Sequence, residues 1–352
     1  MLDPPGETAL DLSLLRGFRY ACRPECGLCC FTTPRVAPRE SVLLLQIAPE
    51  AEFFHGDGGE YLASRPDGGA CQFLTERQCA VHAARPHPCR EFPVSVHLGV
   101  RAQASLVLSC PGIDLAALGV PRPDGRGEVP SDFHTELESV RGRLDVSAER
   151  RRQGAERRRR RVVRRLEAEG RWEPEEDVRA CLRLDPPLPG EGDFPVEDPP
   201  TAEDGAELLP LFFDGRSGPV ALAAGLGGWE LRGVAAAGGV SAPLGVVPPP
   251  ERPPEISEEA TTLLRGYLRY WLERDCLFGW VHLRMLEKTA GTVTEWTRAE
   301  LRAIGALTLA RADVRARFDG AAVGELSAAD ILRGIRATDQ DLLDRESWGE
   351  RL

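Results

Sequence analysis

Residues 22–30 read CRPECGLCC and residues 71–93 read CQFLTERQCAVHAARPHPCREFP. Together with Cys110, these stretches hold eight of the ten cysteines in a 352-residue chain. A Cys-x-x-Cys step such as Cys26 to Cys29 lets one tight turn aim two thiolates at one ion, and Gly27 eases that turn. Thiolates select zinc, copper(I) or iron–sulfur clusters over hard cations. The neighbours Cys29 and Cys30 fit two metals lying close together, or a polynuclear cluster, better than a single ion. The candidate ligands are Cys22, Cys26, Cys29, Cys30, Cys71, Cys79, Cys89 and Cys110. Eight thiolates could fill two four-coordinate sites, or hold one four-iron cluster and a second ion. His82 and His87 lie between Cys79 and Cys89, where a surface or supporting role is expected of each.

The start, MLDPPGE, lacks the basic beginning and apolar run of a signal peptide, and no stretch approaches 18 uninterrupted apolar residues. A cytoplasmic protein with no membrane span is therefore expected. In that compartment dense cysteine patterns read as metal sites rather than disulfides. The formal net charge of −11 argues against a general nucleic-acid coat. Lys288 is the only lysine, so basic charge comes from arginine.

The cysteine pattern resembles the YkgJ-type CxxCxxCC cysteine-cluster family, described as zinc- or iron-chelating. The resemblance rests on Cys22 to Cys30, on Cys71-Gln72-Phe73-Leu74, on Cys79-Ala80-Val81, and on Arg85-Pro86-His87-Pro88-Cys89-Arg90-Glu91-Phe92-Pro93. It departs from the family in the three-residue gap between Cys22 and Cys26. It implies an iron–sulfur cluster or zinc as cofactor, with a redox or metal-handling role. Some members are labelled flagellin lysine N-methylases, so the resemblance also offers protein lysine methylation, with S-adenosylmethionine as cofactor. A third reading is a structural metal site that presents an interaction domain to a protein partner. Whether the chain is an enzyme stays open. Within the signature, Pro86 and Pro88 stiffen the approach to Cys89. Arg90 either offsets thiolate charge or forms a surface salt bridge. Phe73 and Phe92 are expected to pack over the site.

The expected fold is α+β. A small cysteine-rich metal-binding module (1–120) precedes an arginine-rich helical segment (121–185) and a C-terminal α+β domain (201–352) with a short antiparallel meander. In the first part, a helix is expected over 38–54, with Val42, Leu43, Leu45 and Ile47 on one side, and two strands over 94–108 turning near Gly99. One long helical pattern covers 131–170. Its ten arginines between Arg150 and Arg165 read as a solvated face partly paired with Glu149, Glu156 and Glu167. No aromatic residue interleaves with the run, which argues against stacking on nucleic-acid bases. A proline- and glycine-rich linker spans 186–200, and a proline-rich break covers 246–254.

Strands are expected at 208–213, 219–224 and 229–236, with Gly227-Gly228 as a hairpin turn rather than part of a nucleotide loop. Ser257 is expected to cap a helix, and further helices cover 293–318 and 327–345, the last capped by Ser327. Cys181 and Cys276 read as buried core residues.

Overall fold

The computed structural model describes residues 9–23, 26–31, 34–56, 59–65, 70–99, 101–119, 130–144, 146–193, 211–213, 219–225, 228–234, 240–248, 253–320 and 325–342. Part of the expected linker (194–200), residues 208–210, the 226–227 turn and residues 249–252 of the proline-rich break lie outside the described residues.

The cysteine-bearing part contains β1 (Leu10–Asp11), β2 (Arg35–Val36), α1 (Pro38–Ile47), β3 (Phe53–Gly56), β4 (Gly59–Leu62), β5 (Leu74–Thr75), β6 (Gln78–Cys79), α2 (His87–Glu91), β7 (Val94–Leu98) and β8 (Ala102–Leu106). Next come α3 (His134–Arg143), α4 (Val146–Ala168) and α5 (Glu175–Leu184). The meander follows as β9 (Leu211–Phe213), β10 (Pro219–Gly225), β11 (Gly228–Val234) and β12 (Val240–Val247). The remainder is β13 (Glu255–Ile256), α6 (Glu258–Glu273), α7 (Asp275–Glu287), α8 (Val293–Phe318), β14 (Glu325–Leu326) and α9 (Ala328–Asp341). The class is α+β, with short, mostly antiparallel sheets: β1-β8-β7, β2-β4-β3, β5-β6, β12-β11-β10-β9 and the parallel pair β13-β14. None of the described helices is long and apolar enough to cross a membrane.

Local chemistry sets the helix ends. Ser257 Oγ accepts the Ala260 N–H at 3.2 Å and caps α6. At α8, Thr292 Oγ1 accepts the Glu295 N–H at 3.4 Å, and Glu295 Oε2 accepts the Thr292 N–H at 2.9 Å. This reciprocal pair satisfies two amides that the first turn leaves without partners. Ser327 and Asp330 form a similar exchange at α9. The face of α6 carrying Leu263, Leu264, Tyr267, Leu268 and Trp271 is buried, as its spacing implies.

The main hydrophobic core draws Leu14, Phe18, Leu106 and Ile113 together with Tyr267, Leu301 and Leu342. The expected boundary near residue 120 therefore does not separate two cores. A smaller core surrounds the cysteines and includes Leu28, Phe31, Leu44, Phe73 and Leu74. Strand β10 lies between parts of the fold. Its Ala221 joins the cysteine core, while Val220 and Leu222 join Val314 and Ala337 of α8 and α9. Alternate residues of a strand point to opposite faces, so one strand serves both.

Several expectations change. Helix α1 ends at Ile47, and Phe53–Gly56 is a strand. Val42, Leu43, Leu45 and Ile47 are exposed, while Leu44 and Ser41 are buried. Apolar residues surround most of this short helix, so periodicity did not mark the inward face. The 131–170 pattern divides at Leu144, which leaves helical geometry (φ −77°, ψ 67°). Strand β12 covers the start of the expected break, with register irregularities beside Pro243, which cannot donate a ladder hydrogen bond. Cys276 is buried as expected, but Cys181 is exposed on α5. Charge is paired along α4 through Glu149–Arg152, Glu156–Arg160 and Arg159–Glu175.

Two helix contacts depend on a missing side chain. A Cβ at Gly266 would lie 1.8 Å from the Leu118 carbonyl oxygen, and one at Gly334 would lie 2.4 Å from that of Thr308. Alanine in an open helix position stabilises by roughly 0.5–1 kcal/mol relative to glycine. Here the sign should reverse: Gly266→Ala and Gly334→Ala are each expected to cost about 1–3 kcal/mol through overpacking. Thermal unfolding of the two variants checks this; an unchanged or raised Tm would contradict the packing described.

Candidate metal centre

The centre begins at the Cys26–Cys29 step. Gly27 adopts φ +65°, which suits glycine, and a Cβ there would lie 3.0 Å from Leu74 Cδ1 and 3.2 Å from the Arg77 carbonyl oxygen. The turn thus packs against the β5–β6 hairpin. A 3-10 turn over Leu28–Phe31 follows, and the Cys30 N–H donates to the Gly27 carbonyl at 2.9 Å. The hairpin turns through Glu76 and Arg77, both at positive φ, so its two-residue turn stores backbone strain beside the site. It pairs Leu74 with Cys79. The Cys71 N–H donates to the Cys30 carbonyl at 2.6 Å, joining the two cysteine blocks. Gln72 holds the hairpin to the β3–β4 sheet through both main-chain groups of Glu52.

Cys89 arrives on α2. Glu40 of α1 accepts the His87 N–H at 2.8 Å and an Arg90 N–H at 3.3 Å, so it fixes that helix. Arg90 is therefore the salt-bridge partner of Glu40. Arg85 is the guanidinium facing the thiols, a role the reading of the signature did not assign to it.

Five cysteines line one pocket of about 20 Å³: Cys29, Cys30, Cys71, Cys79 and Cys89. That is room for one or two water-sized atoms. Apart from Arg85, the rest of the lining is apolar: Pro34, Leu62, Phe73, Val81 and Pro86. The Cys30 thiol hydrogen-bonds those of Cys29 and Cys79. This bonding raises the pKa of Cys30 and lowers that of Cys29, and it brings Cys79 down to about 7. Burial pushes Cys71 up to about 11 and raises Cys89 as well. Adjacent Cys29 and Cys30 both reach this pocket, so neighbouring positions do not divide them between faces here.

The other three cysteines gather beside it. Burial pushes Cys26 up to about 11 and Cys110 up to about 12. Each is close enough to Cys29 to be raised further by its charge, and Cys22 adds to the effect on Cys26. Tyr20 stacks on Phe133 with ring centroids 5.3 Å apart, and its hydroxyl hydrogen-bonds Cys22 and Glu136. Cys22 itself is exposed. Cys29 is thus the member linked to both groups.

The donor set fits a soft metal. Sulfur is the ligating atom offered by the pocket, and no carboxylate lines it, as a hard cation would require. Arg23, Arg65 and Arg336 lie within electrostatic reach of Cys26, Cys71 and Cys110 and partly oppose the rise that burial gives them, and Arg85 adds to the lowering at Cys79. Such cations would offset the surplus charge of a thiolate centre. Among the described residues, no three His, Cys, Asp or Glu side chains stand close enough together, as they are placed, to hold one metal ion. Three of the pocket's thiols are joined by hydrogen bonds instead, Cys30 to Cys29 and to Cys79. His82 is exposed, and Arg85 beside it lowers its pKa. His87 Nδ1 lies 3.3 Å from Ser139 Oγ, and neither histidine lines the pocket. Phe73 is buried in the wall, while Phe92 packs against both cores.

No curated protein and no solved structure matches the chain. Metal binding is nonetheless what the family comparison supports: residues 21–111 match the model of the CxxCxxCC family, "Putative zinc- or iron-chelating domain".

Proposed function

We propose that the protein holds a polynuclear thiolate metal centre, iron–sulfur or zinc, and that its role is redox or metal handling. The observation that carries this reading is the convergence of five thiols on one apolar pocket, with three more beside it. A single tetrahedral ion takes four ligands, so five facing thiols exceed one closed site. Cys29, linked to both groups, suits the junction of two metals or the edge of a cluster. The four arginines would offset the charge that eight thiolates keep after binding. A pocket walled by Phe73, Val81 and Leu62 would exclude water and tune the potential of a bound iron cluster. Methyl transfer gains no comparable support. Gly225 and Gly228 are paired in the β10–β11 hairpin rather than set between a strand and a helix.

Metal and acid-labile sulfide analysis, with an absorption spectrum, on protein purified without oxygen tests the proposal. Near-equal iron and sulfide in a brown protein would support the redox form. Stoichiometric zinc in a colourless one would support the metal-handling form. Cys30→Ser and Cys71→Ser are expected to lower bound metal, and Cys181→Ser to leave it unchanged. Folded, metal-free protein from an anaerobic preparation would overturn the reading.

Chelation gives a second test. The core around the cysteines is small and counts Cys30 and Cys71 among its members. Metal binding should therefore contribute directly to folding there. Removing metal is expected to unfold residues 20–112 locally, read as faster amide exchange across β5, β6 and α2. Unchanged protection after complete chelation would contradict this.

A further inference from the structure

Cys110 is gripped from a distant part of the chain. Helix α9 lies against the stretch from β8 to Ile113. Through Nη1 the Arg336 guanidinium donates to the carbonyls of Cys110 and, at 3.4 Å, Leu108; through Nη2 it donates to that of Ile113 at 3.0 Å. One turn further along α9, Asp339 Oδ2 accepts the Leu108 N–H at 2.6 Å. Its Oδ1 takes the Tyr267 hydroxyl at 3.3 Å and faces Arg274 at 3.5 Å. Arg274 in turn donates to the Leu106 carbonyl at 2.5 Å. Arg274 and Asp339 are both buried. On the opposite side, the Ala21 N–H donates to the Gly112 carbonyl at 3.0 Å, and a Cβ on Gly112 would lie 2.4 Å from the Ala21 carbonyl oxygen. The loop carrying Cys110 is thus wedged between the first cysteine block and the C-terminal helix.

We propose that Arg336 is a positioning residue for Cys110, and that through it metal occupancy and the ordering of α9 are coupled. This inference rests on the metal-centre reading above. A planar guanidinium can satisfy several carbonyls at once, which a lysine ammonium on a flexible stem does less well. Fixing those carbonyls fixes the direction in which the Cys110 thiol leaves the backbone. Coupling must be reciprocal: whatever α9 does for metal affinity, metal does for the stability of α9.

The test is a double-mutant cycle on the full chain, with zinc as the probe metal and a chromophoric chelator as competitor. Arg336→Met is expected to weaken zinc binding by roughly 10–100-fold, the usual cost of losing a group that orients a ligand, and Cys110→Ser by at least as much. The double variant should be no weaker than Cys110→Ser alone, because Arg336 acts through that thiol. Arg336→Lys should recover part of the loss. Additive effects, or wild-type affinity in Arg336→Met, would overturn the coupling while leaving the metal centre standing. A wild-type chain that binds no zinc, and yields no native metal, would remove both. Should Arg336→Met not fold, amide exchange in wild-type α9 decides the matter. Slower exchange with zinc than after chelation is expected, and identical exchange would overturn the proposal.

Discussion

Burying thiols that stay neutral unless a cation joins them is the constraint around which the fold is arranged. Burial raises the pKa of Cys26, Cys71, Cys89 and Cys110, because a thiolate loses water there and gains little in return. Hydrogen bonding among Cys29, Cys30 and Cys79 relieves this only locally. A soft cation would reverse the balance for all of them at once. Each buried donor would then become a ligand, and the pocket in the small core would be filled. That account explains why a segment with so many loops places sulfur where other domains place leucine.

The rest of the chain supports this segment rather than standing apart from it. Ala221 of β10 fills one side of the cysteine core, while its neighbours pack on α8 and α9. Glu40 ties α1 to the helix that carries Cys89. The buried pair Arg274 and Asp339, with Arg336, holds the backbone around Cys110. A buried ion pair adds little net stability, but removing one partner leaves an uncompensated charge. Its value here is geometric: it fixes the path of one chain segment.

Much of the site was legible in the sequence because cysteine spacing is a local signal. The Cys-x-x-Cys turn, the role of Gly27 and the grouping of the first two blocks follow from short-range chemistry. The caps at Ser257 and Ser327 and the β7–β8 hairpin were legible for the same reason. What was not legible depends on distant partners. Arg85 rather than Arg90 faces the thiols because Glu40, far away in sequence, claims Arg90. The inward face of α1 was ambiguous, since Val42, Leu43, Leu44, Leu45 and Ile47 leave no polar side to read. The shared core across residue 120 was hidden because no local pattern reports which helix covers β8.

The most direct test of the central claim is X-ray absorption fine structure at the metal edge of the anaerobically purified protein. The account predicts a first shell of sulfur alone, at about 2.3 Å for zinc–thiolate ligation. A shell of nitrogen or oxygen at roughly 2.0–2.1 Å, as histidine or carboxylate ligation would give, would contradict it.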